Sequence, residues 1–312
     1  MNFKSLLPLL LLLATQPALF GRDVATLMRM GDEALSSGLW ETASLHFSEC
    51  LAAPGLKPDE KSNVAIRLAE SWIRDGRTEE ALALLKESFV SAHPEVSFWK
   101  GQALAGLGRF GEALDVLGPL LEQPTAPFHK EIVFTIANLQ LALGKPDAAL
   151  ETLNSLAGKK DAQAAIRARL HQVEILLDLG RATEARETMP ATSEIAPQDR
   201  PLASFLEAHL LLAEARPAEA MPIFQDLLDQ TQGQSLNRRH MAAVGLAASM
   251  LALGNPESAA SFLLSFIQEN PDSPQLGPLF QRLRDAMPQA PAASDPILVK
   301  LAEWITPPEF PA

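Results

Sequence analysis

The sequence predicts an all-α protein: an α-solenoid of about seven helix–turn–helix repeats, closed by a C-terminal capping helix. Three observations predict it. First, a corner followed by an alanine recurs seven times: Gly38-Leu-Trp-Glu-Thr-Ala43, Gly76-Arg-Thr-Glu-Glu-Ala81, Gly108-Arg-Phe-Gly-Glu-Ala113, Gly144-Lys-Pro-Asp-Ala-Ala149, Gly180-Arg-Ala-Thr-Glu-Ala185, Ala215-Arg-Pro-Ala-Glu-Ala220 and Gly254-Asn-Pro-Glu-Ser-Ala259. Successive alanines stand 38, 32, 36, 36, 35 and 39 residues apart, a period that means stacked copies of one supersecondary unit. Second, twelve places before each alanine stand Gly31, Ala69, Gly101, Ala137, Val173, Ala208 and Ala247. Third, a bulky residue follows each alanine by four: Phe47, Leu85, Leu117, Leu153, Met189, Phe224 and Leu263. Small residues at matched positions let two antiparallel helices approach, and the bulky one fills the space beside them. Val173 is the one large occupant of its slot and predicts a wider helix separation in the fifth repeat.

The elements follow in order. Residues 1–21 are set apart from the fold. A positive Lys4 precedes an apolar run from Leu6 to Leu13, then small and turn-forming residues, the layout of a Sec-type signal peptide. Cleavage is expected after Ala18, with an uncleaved N-terminal anchor as the alternative. The run is short for a membrane span, and nothing downstream resembles a second one. The solenoid occupies 22–273, in repeats at about 24–57, 62–95, 94–127, 130–163, 166–199, 201–234 and 240–273. In the third, a first helix runs from Phe98 to a glycine stop at Gly108, and a second from Gly111 to Leu121. Pro146, Pro217 and Pro256 stand just after their corners, where the first turn of a helix tolerates proline. Pro94, Pro127, Pro201 and Pro271 separate one repeat from the next. The cap takes 274–306: a helix over Gln275–Met287, a Pro/Ala-rich stretch over 288–296, and a short helix over Ile297–Ile305. Its Trp304 is expected to cover apolar surface on the last repeat, or else to dock a partner. Residues 307–312 form a loose tail.

These repeats resemble the tetratricopeptide repeat family, whose unit is a helix–turn–helix of about 34 residues. The small residue, the corner glycine, the alanine and the bulky residue all have counterparts over roughly 24–273. The late first-helix aromatic appears only as Trp72. The resemblance implies a right-handed superhelix with the first helices on the concave face, and it implies a protein-binding module. It does not extend to the chaperone-binding clamp of some members. Asn138 matches one asparagine slot, but His171, Leu202 and Leu206 stand where basic and amide side chains are required.

Composition narrows the function. A net charge of −12 and a pI near 5.0 disfavour nucleic acid. The single Cys50 can form no internal disulfide and reads as a small buried hydrophobe in a stripe with Leu45, Phe47 and Leu51. No phosphate loop, HExxH motif or nucleophile elbow is present, so the chain reads as non-enzymatic and without a cofactor. The alternative is a metal-dependent or accessory enzyme subunit, with His171 and Glu174 on one helix face and His209 from the next repeat.

With the first helices on the concave face, the residue after each small position enters the groove: Asp32, Glu70, Gln102, Asn138, Glu174, His209 and Ala248. Six of the seven are polar inside Leu- and Ala-rich helices, which a core position would not tolerate. An apolar row four places before the small position's successor includes Phe98, Phe134 and Phe205; these either line the groove or pack between repeats. The pattern suits an extended peptide or a helix. The expected function is therefore a scaffold outside the cytoplasm that binds another protein, one of the cell envelope; self-association through the cap near Trp304 is a third reading.

Overall fold

A computed structural model describes residues 23–123, 125, 127–156, 161–229 and 236–287. The signal segment, the 297–305 helix with Trp304 and the tail lie outside the described residues. Among those described there are fifteen α-helices and no strand. They run α1 (Val24–Ser36), α2 (Trp40–Ala52), α3 (Pro58–Arg74), α4 (Thr78–Leu85), α5 (Val96–Gly106), α6 (Phe110–Leu121), α7 (His129–Ala142), α8 (Pro146–Asn154), α9 (Ala162–Asp178), α10 (Ala182–Thr188), α11 (Arg200–Ala213), α12 (Pro217–Asp229), α13 (Leu236–Ala252), α14 (Pro256–Glu269) and α15 (Leu276–Ala286). Three first helices start early: α3, α9 and α13 begin one turn ahead of the repeat starts read from the sequence. Pro201, expected between repeats, lies in the first turn of α11.

The chain divides into two compact units, one ending at Lys145 and the other beginning at Pro146. In the N-terminal unit each helix packs on the next, and the first helices α3, α5 and α7 also touch in succession. In the C-terminal unit α9, α11, α13 and the capping helix α15 form the corresponding row.

The corners explain why the glycines stand where they do. At Gly180 the backbone is left-handed, φ +70°; its N–H bonds the Leu177 carbonyl at 3.0 Å, and the Arg181 N–H bonds that of Leu176 at 2.8 Å. This pair of bonds satisfies the last carbonyls of α9 and reverses the chain. Ala215 makes the same bonds, to Leu212 at 3.0 Å and from Arg216 to Leu211 at 2.8 Å, with φ +58° and a Cβ that this conformation disfavours. An arginine follows four of the corners and clips the start of the second helix through a glutamate three residues on. These pairs are Arg77–Glu80, Arg109–Glu112, Arg181–Glu184 and Arg216–Glu219, at 2.5–3.0 Å. In the last three pairs the arginine holds its glutamate below the ordinary carboxylate range, and Glu80 is lowered first by its own backbone N–H and then by Arg77.

The small positions bring helices together as predicted. A Cβ on Gly31 would sit 2.4 Å from the Phe47 ring, and one on Gly101 2.4 Å from Leu117. Ala43, Ala81 and Ala113 are fully buried beside them. A third close approach was not foreseen: Gly245 of α13 faces Phe224 of the preceding hairpin, again at 2.4 Å. Cys50 is fully buried, and burial pushes its thiol up. Leu45, placed in the same stripe by the sequence, is instead 65% exposed.

The fifth hairpin departs from the others in its second helix. Helix α10 has only seven residues and stops at Thr188, so Met189 stands at its C-cap, half-buried, rather than inside a second helix. Arg169 of α9 donates to the Thr188 and Met189 carbonyls at 3.0 and 3.1 Å, covering the end of the shortened helix. Two 3-10 turns, Thr192–Glu194 and Pro197–Asp199, carry the chain to α11. Arg167 anchors the second of them through Asp199 at 3.0 Å.

Candidate binding site

The first-helix rows hold the polar positions singled out above, and the two units treat them differently. In the N-terminal unit, Asp32 is exposed and lies 3.6 Å from Arg67 of α3. Glu70 is buried. Its two carboxylate oxygens accept from Arg67 Nη1 at 3.0 Å, Arg74 Nη2 at 2.8 Å and Arg74 Nε at 3.1 Å. Glu70 is thus enclosed by its own helix neighbours at i−3 and i+4, and the charge that reaches the surface at this rung is that of the arginines. Arg74 also lies over the Trp40 ring, 5.3 Å from its centre. Gln102 of α5 donates to Thr135 Oγ1 of α7 at 2.9 Å, a bond between successive first helices. Asn138 is exposed and makes no side-chain hydrogen bond with a described residue.

The aromatic row divides too. Phe98 is buried, stacked on Phe128 at 4.6 Å and edge-on to Trp99 at 4.9 Å. Phe128 holds this position from a left-handed backbone, φ +58°, at the start of α7, a rare conformation for a bulky residue. Phe205 is buried in the core of the C-terminal unit. Phe98 and Phe205 therefore take the packing role, not that of groove anchors. Phe134 is half-buried.

In the C-terminal unit the row is formed by α9, α11, α13 and α15. His171 Nδ1 lies 3.5 Å from Glu174 Oε2, and both side chains are over two-fifths exposed. That hydrogen bond, opposed by burial and helped by the charge of Arg238, holds the Glu174 carboxyl below its usual range. One turn on, burial and the negative Glu174 raise Asp178. His209 of α11 lies 4.4 Å from the Phe205 ring and 5.1 Å from the Phe224 ring, between centres. Its Nε2 is buried and has no hydrogen-bond partner. Burial, with Arg282 of the capping helix nearby, pushes the imidazole down to about 4, against a smaller upward pull from Glu174. It is neutral at physiological pH. Among the described residues no three His, Cys, Asp or Glu side chains gather within metal-ligating reach, and His171, Glu174 and His209 form no such set.

Sequence reasoning missed the arginines that enclose Glu70, although their i−3 and i+4 spacing was a usable signal. It also missed a cleft of about 620 Å3 in the C-terminal unit, between the end of α10 and helices α11 and α12. Ile195, Ile223 and Leu227 form its apolar floor, with Arg200 and Asp226 at its rim. Arg186 is held there by Glu207 at 2.8 Å and Glu214 at 2.7 Å. The cleft exists because α10 stops short, which no local pattern announced.

Consecutive helix hairpins, left-handed glycine corners and rows of touching first helices define a class: all-α repeat scaffolds of the solenoid type. Family models described as tetratricopeptide repeats match residues 66–117, 134–200 and 201–276. The chain belongs to the tetratricopeptide repeat family, whose repeats serve generally as protein–protein interaction modules. Among solved structures it is similar to a tetratricopeptide repeat protein from Parabacteroides merdae ATCC 43184, with 18% identity and a TM-score of 0.57 over 85% of this chain and 98% of the other. It is also similar to a chain of the APC/C hetero-tetramer Cut9–Hcn1, with 15% identity and a TM-score of 0.49 over 93% of this chain and 66% of that one. At these identities the likeness concerns the fold. No curated protein matches the sequence. Among the described residues no helix is long and apolar enough to cross a membrane.

Proposed function

We propose that this chain is a non-enzymatic scaffold that works outside the cytoplasm and holds a segment of another protein, extended or helical, on its first-helix face. The partner is a protein of the cell envelope. The observation that carries the reading is the row of polar side chains on the first helices that the fold leaves at the surface. Asp32, Arg67, Arg74 and Asn138 stand there in the N-terminal unit, and His171 and Glu174 in the C-terminal unit. Rows of charged and amide groups on rigid helices suit recognition of a peptide by its side chains and main chain. The net charge of −12 argues against a nucleic-acid partner. The export reading is supported by the N-terminal Lys4 and the apolar run Leu6–Leu13.

A photo-crosslinking amino acid at position 138 or 174, in the full chain in cells, tests the site. The expected result is capture of the same protein from these positions and not from Glu49 or Glu151, which are exposed on second helices. Asp32→Lys with Asn138→Lys is expected to weaken that capture at least tenfold without loss of helix content. Equal capture from the second-helix positions would overturn the site. Fractionation with a C-terminal tag tests the compartment separately; a cytoplasmic pool alone would overturn export.

A further inference from the structure

We infer that the cleft beside the shortened α10 holds the C-terminal end of another protein. The terminal carboxylate meets Arg200, the last side chain, an apolar one, lies on the cleft floor, and a basic side chain just upstream meets Asp226. The cleft measures about 620 Å3, within the range of sites that take a small ligand or a few residues of a chain. Two cationic and two anionic side chains line it: Arg186, Arg200, Glu207 and Asp226. Arg186 and Glu207 satisfy each other at 2.8 Å, and Arg186 also holds Glu214 at 2.7 Å. Arg200 and Asp226 are exposed and make no hydrogen bond or ion pair with a described residue, nor with each other. Elsewhere in this unit Arg167, Arg181 and Arg216 each meet a carboxylate. One cleft therefore keeps a spare charge of each sign.

Their placement fits a chain end. Arg200 opens α11, and Ser204 follows it by one turn on the same face. The Ser204 hydroxyl lines the cleft and also makes no hydrogen bond with a described residue. A guanidinium fork with a hydroxyl beside it suits a carboxylate, which accepts paired N–H donors. Ile195 and Ala203 are buried in the lining, and Ile223 of α12 is half-buried there. Asp226 follows Ile223 by three residues on the same face of α12, so the spare negative charge borders the apolar floor on the side away from α11. A C-terminal segment brings the matching set in the same order: an ionised carboxylate, an apolar side chain beside it, and a cation within a few residues, each residue adding about 3.3 Å. The cleft lies at the end of the α11–α12 hairpin opposite the Ala215 corner.

The test uses fluorescein-labelled hexapeptides that end in leucine and carry one lysine one, two or three residues before it, titrated with the full chain by fluorescence anisotropy. At least one free-acid peptide should bind saturably, and its C-terminal amide should bind about tenfold more weakly. Arg200→Gln should weaken the free acid by a similar factor and leave acid and amide alike, and Asp226→Asn should abolish the preference for the lysine position. Both side chains are exposed and unpaired, so urea midpoints of the two variants should match the parent. The variant carrying Asp32→Lys and Asn138→Lys should bind the peptide unchanged, which separates this cleft from the polar row of the N-terminal unit. Free leucine displacing the peptide at equal concentration would give the cleft to an amino acid and overturn the inference. So would the absence of binding by any free-acid peptide, equal binding of acid and amide by the parent chain, or full binding by Arg200→Gln.

Discussion

Glu70 in the N-terminal unit and Glu174 in the C-terminal unit occupy the same place in the repeat, one residue past the small position, and have opposite fates. Glu70 has 7% of its side chain exposed and is bound by two arginines of its own helix. Glu174 is 44% exposed and shares a longer contact with a histidine. The difference lies in their neighbours. Arginines three before and four after Glu70 lie on its own face of the helix, whereas His171 and Asp178 take those positions around Glu174. An identical repeat position is thus part of the framework in one unit and surface in the other.

The largest effect expected from this contrast is that of charge reversal. Glu70→Lys places a third positive charge between Arg67 and Arg74 in a buried site and should cost about 3–5 kcal/mol. Glu174→Lys, at the half-exposed counterpart, should cost under about 1 kcal/mol. Urea unfolding of both variants measures the gap, and equal costs would erase the distinction.

The second effect is one of pH. His209 titrates at about 4 in the folded chain against 6.5 for a free imidazole, so the unfolded chain binds the proton more tightly. Its contribution is complete above pH 6.5 and is lost as pH falls from 6.5 towards 4, on the order of 3 kcal/mol in all. His209→Phe should flatten much of the acid slope of stability. His240, also lowered by burial, keeps a residual slope. An unchanged slope would mean that the imidazole is not shielded. The smallest effect belongs to the corner lacking glycine: Ala215→Gly should relieve the left-handed strain and stabilise the chain by about 0.5–1 kcal/mol. Gly180→Ala, at the neighbouring corner, should lose a similar amount in thermal melts.

What the sequence made legible was what the backbone and the size of single residues decide. A left-handed corner asks for glycine, and a close approach asks for glycine or alanine; both demands leave their mark at one position, as at Gly180 and Gly101. The polar row was legible as a row, but its use was not, because whether Glu70 or Asn138 meets solvent depends on partners outside the repeat pattern. Phe98 and Phe205 could not be assigned for a related reason: an aromatic between two first helices has the same spacing whether it faces solvent or the next helix. The shortened α10 and the cleft beside it depend on Arg169 and the turns at 192–199, features that the other repeats do not share.

Gly245 extends this logic beyond single hairpins. Because its bare backbone rests on the Phe224 ring of the hairpin before it, the seam between the sixth and seventh repeats is as tight as the seam inside a repeat. Loosening α12 strips a wall from α13. The end of the chain should therefore open as one cooperative block, so that damage at Phe224 is felt at Ser273 and the start of the cap.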